Sequence, residues 1–151
     1  MLFRVLQIAV PFIWLGLVLG LAFIEAPLKF QAPGITLPLG LGIGRLVFSV
    51  LNKIEIVLAL VLIFSVIRLR PQGKFAVWSI AVIAALLVLE TAWLLPLLDT
   101  RAEQVIAGTA GPYSYTHIIY IVFDAIKVIL LFALGVSMAK QHLRTELRSE
   151  I

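Results

Sequence analysis

The chain has 151 residues, of which 62% are hydrophobic and 13% charged. That is more apolar surface than a water-exposed domain of this length can hide. Its net charge of +4 sits mostly at the ends of apolar runs, which argues for membrane orientation and against nucleic acid, and with no cysteine it has no disulfide, thiolate metal site or cysteine nucleophile.

The first apolar run, residues 5–24, follows Arg4 like a signal sequence. It is longer than a typical signal core, however, and no small-x-small cleavage pattern precedes Glu25, so it reads as an uncleaved span. Pro11 is expected to kink it, and Gly16 and Gly20 form a GxxxG pair that would admit a neighbouring helix. Residues 25–45 (EAPLKFQAPGITLPLGLGIGR) hold three prolines and four glycines, which predicts an irregular but apolar connection at the membrane surface. Its LGLGIGR end resembles a helix-opening anion loop, where free N–H groups and Arg45 would hold a lipid phosphate. No strand precedes it, so it is not a dinucleotide fingerprint.

The second span is expected at 46–66, with Arg45, Asn52 and Glu55 on one side and Lys53 reaching away to the headgroups. A basic turn, RLRPQGK, leads to a third span at 75–98 that carries Glu90, with Trp78 and Trp93 near its two ends. The polar run DTRAEQ opens the next connection, which closes with Tyr113 and Tyr115 at headgroup level. The fourth span, 117–139, places His117, Tyr120, Asp124 and Lys127 within an arc of about 80°. A charged ion inside a span costs about 2.5–3.5 kcal/mol against about 0.3–0.6 returned by each Leu, Ile, Phe or Val. That polar stripe therefore needs partners on the other helices. The charged tail, 140–151, reads as helical.

The arrangement GLAFIEAPLKFQAP, then GIGRLVFSVLNKIE, then HIIYIVFDAIK resembles small four-span bacterial inner-membrane proteins of uncharacterised function, over nearly the whole chain. The resemblance implies a fold and a location and carries no activity. The motifs of the small multidrug exporters are missing, and Glu25 lies too near the end of its span to be their acidic residue.

The expected architecture is thus an all-α, membrane-embedded four-helix bundle forming one domain. Arg4, Arg68, Arg70, Lys74, Lys140, Arg144 and Arg148 outnumber Lys29, Arg45 and Arg101 on the other side, which puts both termini in the cytoplasm. At 1.5 Å per residue, Glu90, Glu55, Asp124 and Lys127 all fall about 10–15 Å below the outer boundary, with Glu25, Arg45 and His117 around the mouth. The acids outnumber the cations at that depth, so a proton, a cation or water must balance them. The candidate ligand- or proton-binding residues are Glu55, Glu90, Asp124, Lys127, His117, Asn52, Arg45, Tyr120 and Glu25.

These residues suit a small transporter or binding subunit, one that transport would require to pair with a second copy or a membrane-complex partner. Two alternatives remain open. The charges are interhelical glue in an accessory or assembly protein, or a carboxylate and His117 serve acid–base chemistry on a lipid or isoprenoid. Glu25, Glu90, Asp124 and His117 together make an oxygen-rich set for a cation, although the identity of any metal is open. No cofactor is called for, and HExxH, GxSxG and paired-His motifs are absent.

Overall fold

A computed structural model describes residues 1–111 and 115–149, with side chains as far as residue 144. Four long helices make up nearly all of it: α1 (Leu2–Gln31), α2 (Leu37–Arg68), α3 (Lys74–Ile106) and α4 (Thr116–Ser149). No strand occurs among the described residues. The chain runs up and down, with α1 packed on α2 and α4, and α3 packed on α4 and α2. The termini and the α2–α3 turn therefore share one end, and the other two connections share the opposite end.

The helices run further than the expected spans. α2 begins at Leu37, inside the segment whose prolines and glycines argued against regular helix. Thr36 caps it, its hydroxyl oxygen accepting from the Leu39 N–H at 3.4 Å. Pro38 falls in the first turn, where no N–H is needed. Gly40 and Gly44 are helical because the end of α1 lies against them: an added Cβ would meet the Phe30 ring at Gly40 and the Lys29 amine, 3.0 Å away, at Gly44. This is the close helix approach expected at Gly16 and Gly20, where an added Cβ would have nothing within 4 Å. The LGLGIGR run thus lies within α2, which Thr36 and Leu37 open instead.

α3 likewise absorbs DTRAEQ and ends in a Schellman motif. There Thr109 N–H donates to Gln104 O at 2.9 Å and Gly108 N–H to Val105 O at 3.2 Å, with Gly108 at φ 71°. Tyr115 is exposed after it, and Tyr113 lies outside the described residues.

Two prolines inside helices leave a matching mark. One residue before Pro27, Ala26 N–H bonds back to Leu21 O, and one residue before Pro96, Leu95 N–H bonds back to Glu90 O. Each is an i→i−5 step, the wide turn that absorbs a proline ring's clash with the preceding turn. Both wide turns lie at the level where the bundle becomes polar.

The buried stripes repeat between the two hairpins. Gln7, Val10, Trp14 and Val18 on α1 have the same spacing as Ala76, Ser79, Ile83 and Leu87 on α3. On α2, Asn52, Glu55, Ala59 and Leu62 match Asp124, Lys127, Leu131 and Leu134 on α4 at the 72-residue offset that separates Glu55 from Lys127. The apolar half of the core is Trp14, Val18, Leu62, Ile83, Leu87, Leu131, Leu134 and Met138. At the termini end, Gln7 is wholly buried and ties three helices together. Its Nε2 donates to Ser65 O (3.0 Å) and Leu69 O (2.7 Å), and its Oε1 lies 3.0 Å from His142 Nε2.

Only 28–33% of each helix's most apolar window is buried inside the bundle. Leu60, Phe64, Trp78, Ile129 and Phe132 all point outward and are at least half exposed, so each helix is long and apolar enough to cross a bilayer and keeps an apolar outer face. Leu134→Ala, at a fully buried position, is expected to cost about 2–5 kcal/mol through the cavity it leaves. Leu60→Ala on the outer face should cost far less, and unfolding of both variants in mild detergent measures the contrast.

Candidate functional site

Five buried side chains from all four helices converge at the middle of the bundle. Lys127, on α4, is fully buried, as are Glu55 on α2 and Glu90 on α3, and Asp124 is 1% exposed. The Lys127 ammonium donates to Glu55 Oε1 at 2.7 Å and to Glu90 Oε2, and it sits 2.9 Å from Asp124 Oδ1. Trp14, from α1, donates its indole N–H to the same Glu55 Oε1 at 2.7 Å. Helical periodicity places Asp124 and Lys127, three residues apart, on one face. Glu90 stands at the start of the α3 wide turn, and its backbone carbonyl takes the displaced bond from Leu95.

The charges do not balance. Three carboxyl groups face one ammonium, and the indole N–H brings no charge, so full ionisation would bury two uncompensated negative charges. Glu55 Oε2, Glu90 Oε1, Asp124 Oδ2 and the Tyr120 hydroxyl have no hydrogen-bond partner. Buried charge of this kind costs several kcal/mol unless it is paired or neutralised. One oxygen from each of Glu55, Glu90 and Asp124 lies within 4.8 Å of the others, a spacing that a hard cation could bridge. Lys127 already contacts all three acids.

Towards the connection end, a cavity of about 1000 Å³ opens between all four helices. Asn52, Thr91 and Tyr120 line it on the side nearest the cluster, and Arg45, Arg101, Lys29 and His117 line it further out. Asn52 Nδ2 donates to Thr91 Oγ1 at 2.8 Å, and Thr91 Oγ1 donates to Leu87 O at 2.7 Å. The Tyr120 ring stacks edge-on against Phe48, with centroids 5.4 Å apart. None of the three clustered carboxylates lines this cavity.

Of the nine residues singled out in the sequence, Glu55, Glu90, Asp124 and Lys127 form the cluster, while Asn52, Tyr120, Arg45 and His117 line the cavity. Glu25 belongs to neither, and pairs with Lys29 at 3.4 Å on its own helix. Arg45 does not descend to Glu55. It turns to α3, where its guanidinium binds both oxygens of Asp99 and, at 2.8 Å, Glu103. Asn52 bonds Thr91, the neighbour of Glu90, and not Glu90 itself. His117 is exposed and away from the carboxylates, so it does not complete the oxygen-rich set expected with Glu25, Glu90 and Asp124. Lys53 is exposed, but it lines the same cavity as Arg45 and Asn52, where its direction on α2 predicts that it reaches away from them.

Sequence reasoning missed two participants. Trp14 and Thr91 carry no charge, so a search for ionisable residues passes over both. Trp14 does share a helical face with Gln7, the other polar residue buried on α1. Compared with known proteins, the chain matches no family model, no curated protein and no solved structure.

Removing the cluster's only cation tests the balance of charge. Lys127→Met is expected to destabilise the bundle by about 3–5 kcal/mol, because it leaves three acids facing one another without a cation. Adding Glu55→Gln should recover part of that loss, and the non-additivity in a double-mutant unfolding cycle measures the coupling.

Proposed function

We propose that the chain is a four-span integral protein of the bacterial inner membrane, with both termini cytoplasmic, acting as a small binding or transport subunit whose buried cluster takes up and releases a proton. The observation that carries this reading is the excess of carboxyl groups over ammonium at the centre of the bundle, with three carboxylate oxygens unpartnered. Ionisable groups inside a membrane face steep costs and mark ion or proton pathways. A proton suits the cluster better than a metal ion, because the Lys127 ammonium already sits where a metal would have to bind all three acids. The orientation rests on the basic residues: Arg4, Arg68, Arg70, Lys74, Lys140 and Arg144 gather at the termini end. Beyond the cluster the interior is packed, largely by apolar side chains and then by the buried Gln7, so transport would require movement of the helices or a second copy of the chain.

A second reading is favoured by the ion pairs themselves. Lys127 holds acids from α2, α3 and its own helix, as interhelical glue in an accessory protein would. Acid–base chemistry on a lipid has less support, because His117 and the clustered carboxylates do not share a surface.

Proteoliposomes given an alkaline pulse distinguish the two main readings. The wild type should release protons, and its infrared spectrum should lose a protonated-carboxyl band. Glu90→Gln and Asp124→Asn should abolish both signals while the protein stays folded. Absence of any proton release from the wild type, with lowered stability in both variants, would leave only the glue.

A further inference from the structure

The cavity above the cluster is far larger than a proton requires. Its volume, about 1000 Å³, is at the upper end of the roughly 300–1000 Å³ typical of sites for organic ligands. Phe23, Phe30, Phe48, Leu95, Leu98 and Ile121 make much of its wall. The charged groups lining it are Lys29, Arg45, Lys53 and Arg101 against Asp99 alone. Arg45 is spent on Asp99 and Glu103, fixing α2 to α3, and Arg101 donates to Gly111 O at 2.6 Å, which leaves the lysines to answer an anion.

Lys29 is the most telling of these groups. Its side chain is 9% exposed, and its ammonium lies 5.7 Å from the Phe30 ring centroid and 5.6 Å from that of Phe48. Its carboxylate contact, to Glu25, is a long one of 3.4 Å. An ammonium has three donors, and one held in an aromatic wall by a single long ion pair retains the capacity to bind an anion.

We propose that this cavity binds an anionic membrane lipid, its phosphate headgroup held by the basic lining around Lys29 and its hydrocarbon against the phenylalanine and leucine wall. A free anion would answer the charge and leave the apolar wall bare. A neutral lipid would do the reverse. The proposal rests on the placement of the chain in a membrane and not on proton uptake by the cluster.

Full-length protein in neutral detergent micelles, titrated with dioleoyl phosphatidic acid, dioleoylglycerol or inorganic phosphate and followed by native mass spectrometry, tests it. Phosphatidic acid should bind at least about tenfold more tightly than dioleoylglycerol, as charge-assisted contacts to the phosphate require, and inorganic phosphate should not be retained. Ser49→Trp, which fills the cavity from its exposed edge, should abolish lipid binding. Lys29→Gln should weaken binding about tenfold, and decides the matter if the tryptophan variant does not fold. Equal binding of dioleoylglycerol, retention of inorganic phosphate, or unchanged affinity in Lys29→Gln would each overturn the proposal. None of these readouts depends on whether the cluster moves a proton.

Discussion

An ammonium group buried where four helices meet has to be matched by acids, and those acids fix how the helices sit. Lys127 can be accommodated only if α2 brings Glu55 and α3 brings Glu90 to its level, with Asp124 already one turn away. At an effective dielectric of about 20, a pair of unit charges 4 Å apart is worth about 4 kcal/mol, and each charge also resists leaving water. Sliding either helix by one turn, about 5.4 Å, would break its pair and leave a buried charge alone. The apolar packing around Leu62, Leu131 and Leu134 carries no such directional demand, because apolar burial is non-directional and scales with the area removed from water. The cluster therefore sets helix registry as well as holding the excess acid, and both roles make it costly to alter.

Trp14 explains why the excess is not spread evenly. Its indole N–H and Lys127 both donate to the same oxygen of Glu55, so that carboxylate is the best satisfied on one side while its Oε2 has no partner. Asp124 is the opposite case: it is close to the ammonium, but neither oxygen makes a well-aligned hydrogen bond. Three acids of one chemical type thus occupy three different environments.

Helix count and the polar stripe of α4 were legible in the sequence, because a 3.6-residue period with isolated charges in an apolar run has few other meanings. The convergence of Glu55, Glu90, Asp124 and Lys127 followed from depth alone. Helix ends were not legible. Pro38 and Gly40 read as breakers until the Thr36 cap and the Phe30 ring packed against Gly40 are known. The partners of Arg45 were hidden for a similar reason: DTRAEQ reads as a connection, and Asp99 and Glu103 meet Arg45 because α3 continues through it. The repeat between hairpins was present in the sequence and easy to overlook, because the aligned residues differ in charge. Asn52 aligns with Asp124 and Glu55 with Lys127, and the pairing of that last couple across the bundle is what the alignment predicts for two equivalent positions facing a common axis.

The same near-symmetry accounts for the layer between cluster and cavity. Phe48 and Tyr120 occupy equivalent positions one turn above Asn52 and Asp124, and they stack edge to face. Together with the hydrogen-bonded Asn52–Thr91 pair they line the cavity floor, and the clustered carboxylates do not reach its surface. The unpartnered Tyr120 hydroxyl belongs to both compartments: it is buried beside the acids, and its residue lines the cavity.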